Sequence, residues 1–254
     1  MITVKEIYDF LNEIAPFDSS MSYDNTGLLA GNFEKEIKKV LLSLDITNEV
    51  CSEAAKIGAN LIISHHPVIF KAVKSVDFKN PVANLIKNEI NAICAHTNLD
   101  VAEEGVNFEL ARALKLSGLK ALTFENSYPM GLVGDLEKAM NCREFAQFVK
   151  ENLLCDGLRY TDARKEIKKV AVCSGSGGSL IEDVFAAGAD AFVTGEIKHS
   201  DILKANSFGI QIVDAGHFKS ENVIIKPLKE KLALKFPEIE FFISKTFTDG
   251  IKFL

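Results

Sequence analysis

Four short apolar runs in this chain stop abruptly at imidazole or carboxylate, and that recurrence constrains the fold more than any other feature. Ala59-Asn60-Leu61-Ile62-Ile63 leads into Ser64-His65-His66-Pro67, and Ile90-Asn91-Ala92-Ile93-Cys94-Ala95 leads into His96-Thr97-Asn98-Leu99-Asp100. Ala189-Asp190-Ala191-Phe192-Val193 leads into Thr194-Gly195-Glu196-Ile197-Lys198-His199. Ile210-Gln211-Ile212-Val213-Asp214-Ala215-Gly216 leads into His217-Phe218-Lys219-Ser220-Glu221. Runs this short and apolar read as buried parallel strands. The carboxyl ends of such strands are where open α/β sheets bind ligands. Side chains alternate along a regular strand, so adjacent ligands there would diverge. At the strand's end, with Pro67 turning the chain, His65 and His66 can converge and serve two neighbouring ions, one each. Imidazole plus carboxylate with open positions suits Zn, Mn, Fe or Ni.

Between these runs the pattern alternates strand and helix. Thr3, with Glu6 three residues on, forms a capping-box signature for a helix through about Ile14. Val40 to Asp45 reads as a strand, Thr47 to Ile57 as a helix stopped by Gly58, Pro81 to Asn88 as a helix, and Val106 to Leu114 as another. The second half repeats the scheme: strand at Val170 to Cys173, helix at Leu180 to Ala187, stop at Gly188. Gly58-Ala59-Asn60 and Gly188-Ala189-Asp190 are offset by 188 − 58 = 130, which also carries Val40 onto Val170 and His66 onto Glu196. The two His-x-x-x-carboxylate motifs lie 217 − 96 = 121 apart, which puts Glu221 in the place Asp100 holds. This predicts a duplicated α/β chain with a parallel sheet in each half and a ligand cleft between the halves. The expected domains are 1–125 and 126–254. The stretch 128–165 is poorly marked except for a helix near Cys142 to Leu153, and the tail 240–245 adds a strand to either domain.

Composition is that of an ordinary soluble globular protein, with 47% hydrophobic and 25% charged residues. A net charge of −6 argues against a general nucleic-acid grip and leaves only a local basic site open. Cys51, Cys94, Cys142, Cys155 and Cys173 form no C-x-x-C pair and are odd in number, so they are expected reduced, in a cytoplasmic protein, away from the histidine motifs. The amino terminus reads as a polar helix and no run is long enough to span a membrane. Ser174-Gly175-Ser176-Gly177-Gly178-Ser179 lacks a P-loop lysine and reads as a tight strand–helix turn before it reads as a phosphate cradle.

Seven segments together resemble the Nif3-like (NGG1-interacting factor 3-like) family, whose bacterial members carry the label GTP cyclohydrolase I type 2 homolog. They are Asp24-Asn25-Thr26-Gly27-Leu28, Leu44-Asp45-Ile46-Thr47, Ser64-His65-His66-Pro67, His96-Thr97-Asn98-Leu99-Asp100, Gly105-Val106-Asn107, Thr194-Gly195-Glu196, and Asp214-Ala215-Gly216-His217 with Glu221. The chain resembles the compact form, too short for the central domain some members insert. The resemblance implies two interlocked α/β domains in a toroidal homohexamer. It implies two divalent ions per subunit, held by the residues matching His65, His66, Asp100, His217 and Glu221. Glu196 departs from the aspartate that relatives often carry, which leaves Glu196 and His199 around the metals and not on them. His96 stays open as a ligand, a proton carrier or a support behind a ligand; with His199 it is the candidate for proton transfer.

Two functions follow as expectations. One is a dinuclear metal-dependent hydrolase of a nucleotide-like or phosphorylated small molecule, with GTP ring opening and phosphoester hydrolysis as the two chemistries. The other is a non-catalytic metal-binding hexameric scaffold or regulatory interaction protein. Five ligands for two ions leave coordination positions open, which favours chemistry.

Overall fold

The computed structural model describes residues 1–254, which gather into two compact units, Met1–Glu103 with Ile225–Thr248 and Glu104–Ile224 with Asp249–Leu254. In the first unit, α1 (Val4–Ile14) opens on the capping box, where Thr3 and Glu6 each bond the other's backbone N–H. There follow β1 (Gly27–Ala30), β2 (Lys39–Ser43), α2 (Asn48–Ile57), β3 (Leu61–Ser64), α3 (Pro81–Lys87), β4 (Asn91–Cys94) and α4 (Thr97–Val101). Thr47 caps α2, and Gly58 ends it at φ +73, a left-handed position a β-carbon would penalise.

The second unit holds α5 (Val106–Ala113), β5 (Ser117–Glu125), β6 (Tyr128–Asn141), α6 (Cys142–Asn152), β7 (Arg159–Tyr160), β8 (Glu166–Cys173) and α7 (Ile181–Ala186). It continues through β9 (Ala191–Thr194), α8 (His199–Ser207), β10 (Gln211–Asp214) and α9 (His217–Glu221). The chain then returns to the first unit as α10 (Ile225–Lys235) and β11 (Glu240–Ile243).

The first sheet has the order β1-β4-β3-β2-β11, and β11 pairs parallel with β2, so the tail strand belongs to the first unit. The second has the order β5-β6-β8-β9-β10-β7. Both are mixed, not wholly parallel: β1 runs antiparallel to β4, β7 to β10, and β6 to both β5 and β8. The contacts divide the chain between Glu103 and Glu104, ahead of the boundary expected at 125/126. The position of that expected boundary is a hairpin turn. Asn126 and Ser127 take φ +49 and +71 and join β5 to β6, with Glu125 opposite Tyr128. Two positive φ values are what a two-residue hairpin loop needs.

The duplication is visible strand by strand. Val40 pairs with Leu61 as Val170 pairs with Ala191, and Leu61 with Asn91 as Ala191 with Gln211. These central strands are buried along their length, Leu41, Ile62, Ala171 and Phe192 among them. Helices cover them: Val50, Ala54 and Leu85 from α2 and α3 pack on the first sheet, and Phe145 and Val149 from α6 on the second. All five cysteines are buried and none forms a disulfide, and burial pushes the Cys51 and Cys155 thiols up to about 11. No helix is long and apolar enough to cross a membrane.

Candidate metal centre

In the first unit, β3 ends where its ladder to the neighbours continues through backbone bonds. The His66 N–H donates to the Leu44 carbonyl at 2.8 Å, and the Ala95 N–H to the Ser64 carbonyl at 3.0 Å. The Ser64 hydroxyl closes the turn onto the His66 carbonyl at 2.8 Å. Held this way, the rings of His65, His66 and His96 converge, with centroids 5.1, 5.2 and 5.4 Å apart. One ring nitrogen from each lies within 4.8 Å of the others.

Each ring has its other nitrogen occupied. Nδ1 of His65 bonds the Ala95 carbonyl at 2.9 Å, Nδ1 of His66 the Asp45 carboxylate at 2.9 Å, and Nδ1 of His96 the Asp24 carboxylate at 2.8 Å. A carbonyl accepts only, so Nδ1 of His65 carries the proton and Nε2 carries the lone pair. Carboxylates impose the same tautomer on neutral His66 and His96. A buried acceptor behind Nδ1 is how metal-binding histidines are oriented. Asp100, on α4, brings Oδ1 to 3.6 Å from His65 Nε2.

Asp24 is the more deeply held support, its side chain fully enclosed. It accepts from His96, from the Thr97 N–H at 3.1 Å and from the Thr97 hydroxyl at 2.5 Å. Burial alone would raise its pKa; the His96 and Thr97 bonds and the imidazole's attraction outweigh that and hold it well below the usual carboxylate range. Cys94 lies closer to these histidines than expected. Its Sγ donates to the His65 carbonyl at 3.0 Å, and burial followed by the negative charges around it keeps the thiol protonated.

In the second unit, α9 places His217 and Glu221 four residues apart on one helix face. Nε2 of His217 lies 3.0 Å from Glu221 Oε2, and Nδ1 lies 3.4 Å from Glu196 Oε1, at the end of β9. Glu221 is buried while Glu196 is largely exposed. His199 opens α8 on the exposed side and takes no part in these ion pairs.

The glycine loop after β8 makes room for this set. Gly175 has φ +59, and a β-carbon there would collide with Glu221 Oε1; one at Gly195 would strike Ser220 and come within 2.9 Å of the His217 Cα. The loop's amides are engaged inside the protein: Ser174 N–H with Asn107, Gly175 N–H with the Ser220 hydroxyl, Gly177 N–H with the Thr194 hydroxyl. Three of the loop's amides thus serve packing within the protein, as a tight strand–helix turn would use them.

The expected equivalence of Asp100 and Glu221 does not hold. Paired strand residues place Asn91 with Gln211, an offset of 211 − 91 = 120, and α4 and α9 begin 217 − 97 = 120 apart. The His-x-x-x-carboxylate motifs are 121 apart. In the shared register His217 therefore matches Thr97, Asp100 matches Ser220, and Glu221 matches Val101. His96 precedes its helix, whereas His217 is the first residue of α9. The sequence also gave no sign that Asp45 supports His66, or that Gly175 and Gly195 clear the space around Glu221.

A mixed α/β chain with two sheets, imidazoles anchored at one set of strand ends and a histidine between carboxylates at the other, defines a class of proteins with candidate metal ligands on a duplicated scaffold. The chain belongs to the DUF34/NIF3 (NGG1p interacting factor 3) family, whose profile matches residues 2–250. A Clostridium perfringens protein named GTP cyclohydrolase 1 type 2 homolog is 34% identical over 262 aligned residues, covering 99% of both chains. A Staphylococcus aureus hypothetical protein of known crystal structure superposes with a TM-score of 0.93 at 30% identity, covering 99% of each chain. Reduced HcgD from Methanocaldococcus jannaschii superposes with a TM-score of 0.83 at 31% identity, covering 97% of this chain and 98% of its own.

Proposed function

We propose that this chain is a dinuclear metal-dependent hydrolase of a nucleotide-like or phosphorylated small molecule. The observation that carries the reading is the trio His65, His66 and His96, each with Nδ1 tied to an acceptor and its remaining nitrogen turned to a common place. That donor set fits a divalent ion of the Zn, Fe, Mn or Ni kind. Family membership supports extending the set to two ions per subunit, which His65, His66, Asp100, His217 and Glu221 would hold. Bound there, the ions supply a Lewis acid and an acidified water.

The chain's own residues supply the rest. Glu221, buried and beside His217, and Asp100, beside His65, are the carboxylates that would hold the ions. His96, held through Nδ1 by Asp24, accepts or returns a proton at Nε2 wherever it is not itself a ligand. His199 lacks such an anchor, so we assign proton transfer to His96. We further propose a toroidal homohexamer in the cytoplasm, a setting that suits five cysteines that form no disulfide.

Elemental analysis of protein purified without added metal tests the reading, followed by a panel of nucleotides and phosphoesters on the same sample. Two ions per chain and turnover abolished by chelation are expected. A reproducible ratio of one or less refutes the dinuclear centre, and two ions with no turnover across the panel favours the non-catalytic scaffold.

A further inference from the structure

Thr248 is the last residue of the first unit, and Asp249–Leu254 belong to the second. These six residues form neither helix nor strand. The hydrogen bonds they make are their own: the Ile251 N–H donates to Asp249 Oδ1 at 2.9 Å, and Lys252 Nζ to the Asp249 carbonyl at 3.0 Å. Apolar packing joins them to the unit. The Phe253 ring lies against Gly157, where a β-carbon would overlap it, so Gly157 is the seat that lets the ring pack. The hold is light, because Phe253 stays 50% exposed and Ile251 58%. Burying half a ring contributes little, and it is set against the entropy of fixing six flexible residues.

The place this tail covers bears on the site. Ile251 and Phe253 form the apolar side of a cavity of about 500 Å³ at the carboxyl edge of β9 and β10, and His217 stands in the same cavity's wall. The cavity's polar groups do not tie the tail down. Arg159 grips Asp214, Glu196 pairs with His217, and Asp201 accepts from the Ser200 hydroxyl. The seat on Gly157 is therefore the anchor that keeps the tail across the cavity.

We propose that Asp249–Leu254 act as a latch on this cavity. Closed, with Phe253 on Gly157, the tail shields the His217 ring from one side. Open, with the ring lifted from its seat, it admits solutes from solution to that imidazole. The two states are close in free energy because so little apolar surface separates them. The latch goes beyond the hydrolase reading and needs neither a bound metal nor turnover.

The test is the rate at which diethyl pyrocarbonate, which acylates neutral imidazole, modifies His217 in metal-free protein, read residue by residue by mass spectrometry. Phe253→Ala removes the ring. Gly157→Ala fills the seat and leaves the ring intact. A third chain stops at Thr248. All three should react at His217 at least about threefold faster than wild type, the scale of losing half an aromatic ring's burial. Leu254→Ala, whose side chain is fully exposed, should match wild type. His199, exposed at the start of α8, should react equally in every variant. Buried Cys173 should stay closed to a maleimide, which separates an opened latch from loosened packing. Unchanged His217 rates in Phe253→Ala and in the shortened chain overturn the proposal. So do faster rates that come with maleimide labelling of Cys173.

Discussion

At the carboxyl edge of β3 and β4 the first unit gathers three imidazoles, each steadied from behind by a carbonyl or a carboxylate. At the matching edge of β9 and β10 the second unit carries one imidazole between two carboxylates, in space cleared by Gly175 and Gly195. The strand registers that lead to these edges are the same. The outcome differs because the donors enter at different points. The first unit places two of them in the turn after β3, where the second has Gly195 and Glu196. The two short helices then differ by one residue in where the motif begins, and one residue turns a helical side chain by about 100°. A duplicated scaffold thus yields two unlike donor sets, one nitrogen-rich and one acidic.

That contrast predicts the largest effect for a histidine of the nitrogen-rich set. His65→Ala should bring metal content below one ion per chain, because it removes a donor whose orientation is fixed before any ion arrives. Wild-type occupancy in elemental analysis would show that the first unit is not the dominant binder. Next comes Glu221→Ala, expected to lose at least one ion and all turnover while circular dichroism stays native. In the proposed dinuclear centre, loss of the carboxylate would leave two cations with less negative charge near them to offset their repulsion. Full occupancy in that variant would take Glu221 out of the site. Exposed Lys226, on α10, serves as the control; Lys226→Ala should change stability by under ~0.5 kcal/mol and metal content not at all.

Asp24→Asn sharpens the difference in support. It should weaken metal binding by about 10- to 100-fold, the usual cost of losing the partner behind a ligand, whereas no such loss is expected from Glu196→Gln, whose carboxylate is largely exposed. Titration with a competing chelator reads both. Asp24 also sets an acid limit. Its pKa is lower folded than unfolded, so its contribution to stability is present above the unfolded value near ~4 and drains away as pH falls below it. Urea midpoints measured from pH 6 down to pH 3 should therefore drop less steeply for Asp24→Asn than for wild type; parallel curves would mean that folding does not lower the Asp24 pKa.

The smallest effect belongs to Gly175→Ala. The substitution forces a β-carbon at φ +59 against Glu221, costing about 1–3 kcal/mol and disturbing the acidic set alone. A melting temperature equal to wild type would mean that the loop is free to move aside, and the second unit's set would then be less rigid than the first.

The sequence by itself settled the helices with marked ends and the strands with apolar runs. Thr3 with Glu6, Thr47 with Gly58, and Pro81 at the head of its helix are chemical signals confined to a few residues, and local backbone physics reads them directly. The alternation of those elements gave the α/β class and its duplication, and the strand-end histidines marked where donors would gather. The β5–β6 hairpin escaped because its turn is Asn-Ser without glycine and neither strand alternates buried with exposed residues, leaving no strong period of two. The return of α10 and β11 to the first unit, and the resulting unit boundary, depended on β11 pairing with β2, a contact made across about two hundred residues of chain. The support of His66 by Asp45, of His96 by Asp24 and the one-residue offset between α4 and α9 likewise arose only in three dimensions. Spacing along a chain fixes which residues share a short segment; which nitrogen of a ring faces a neighbour is decided by hydrogen bonds between segments that the fold alone brings together.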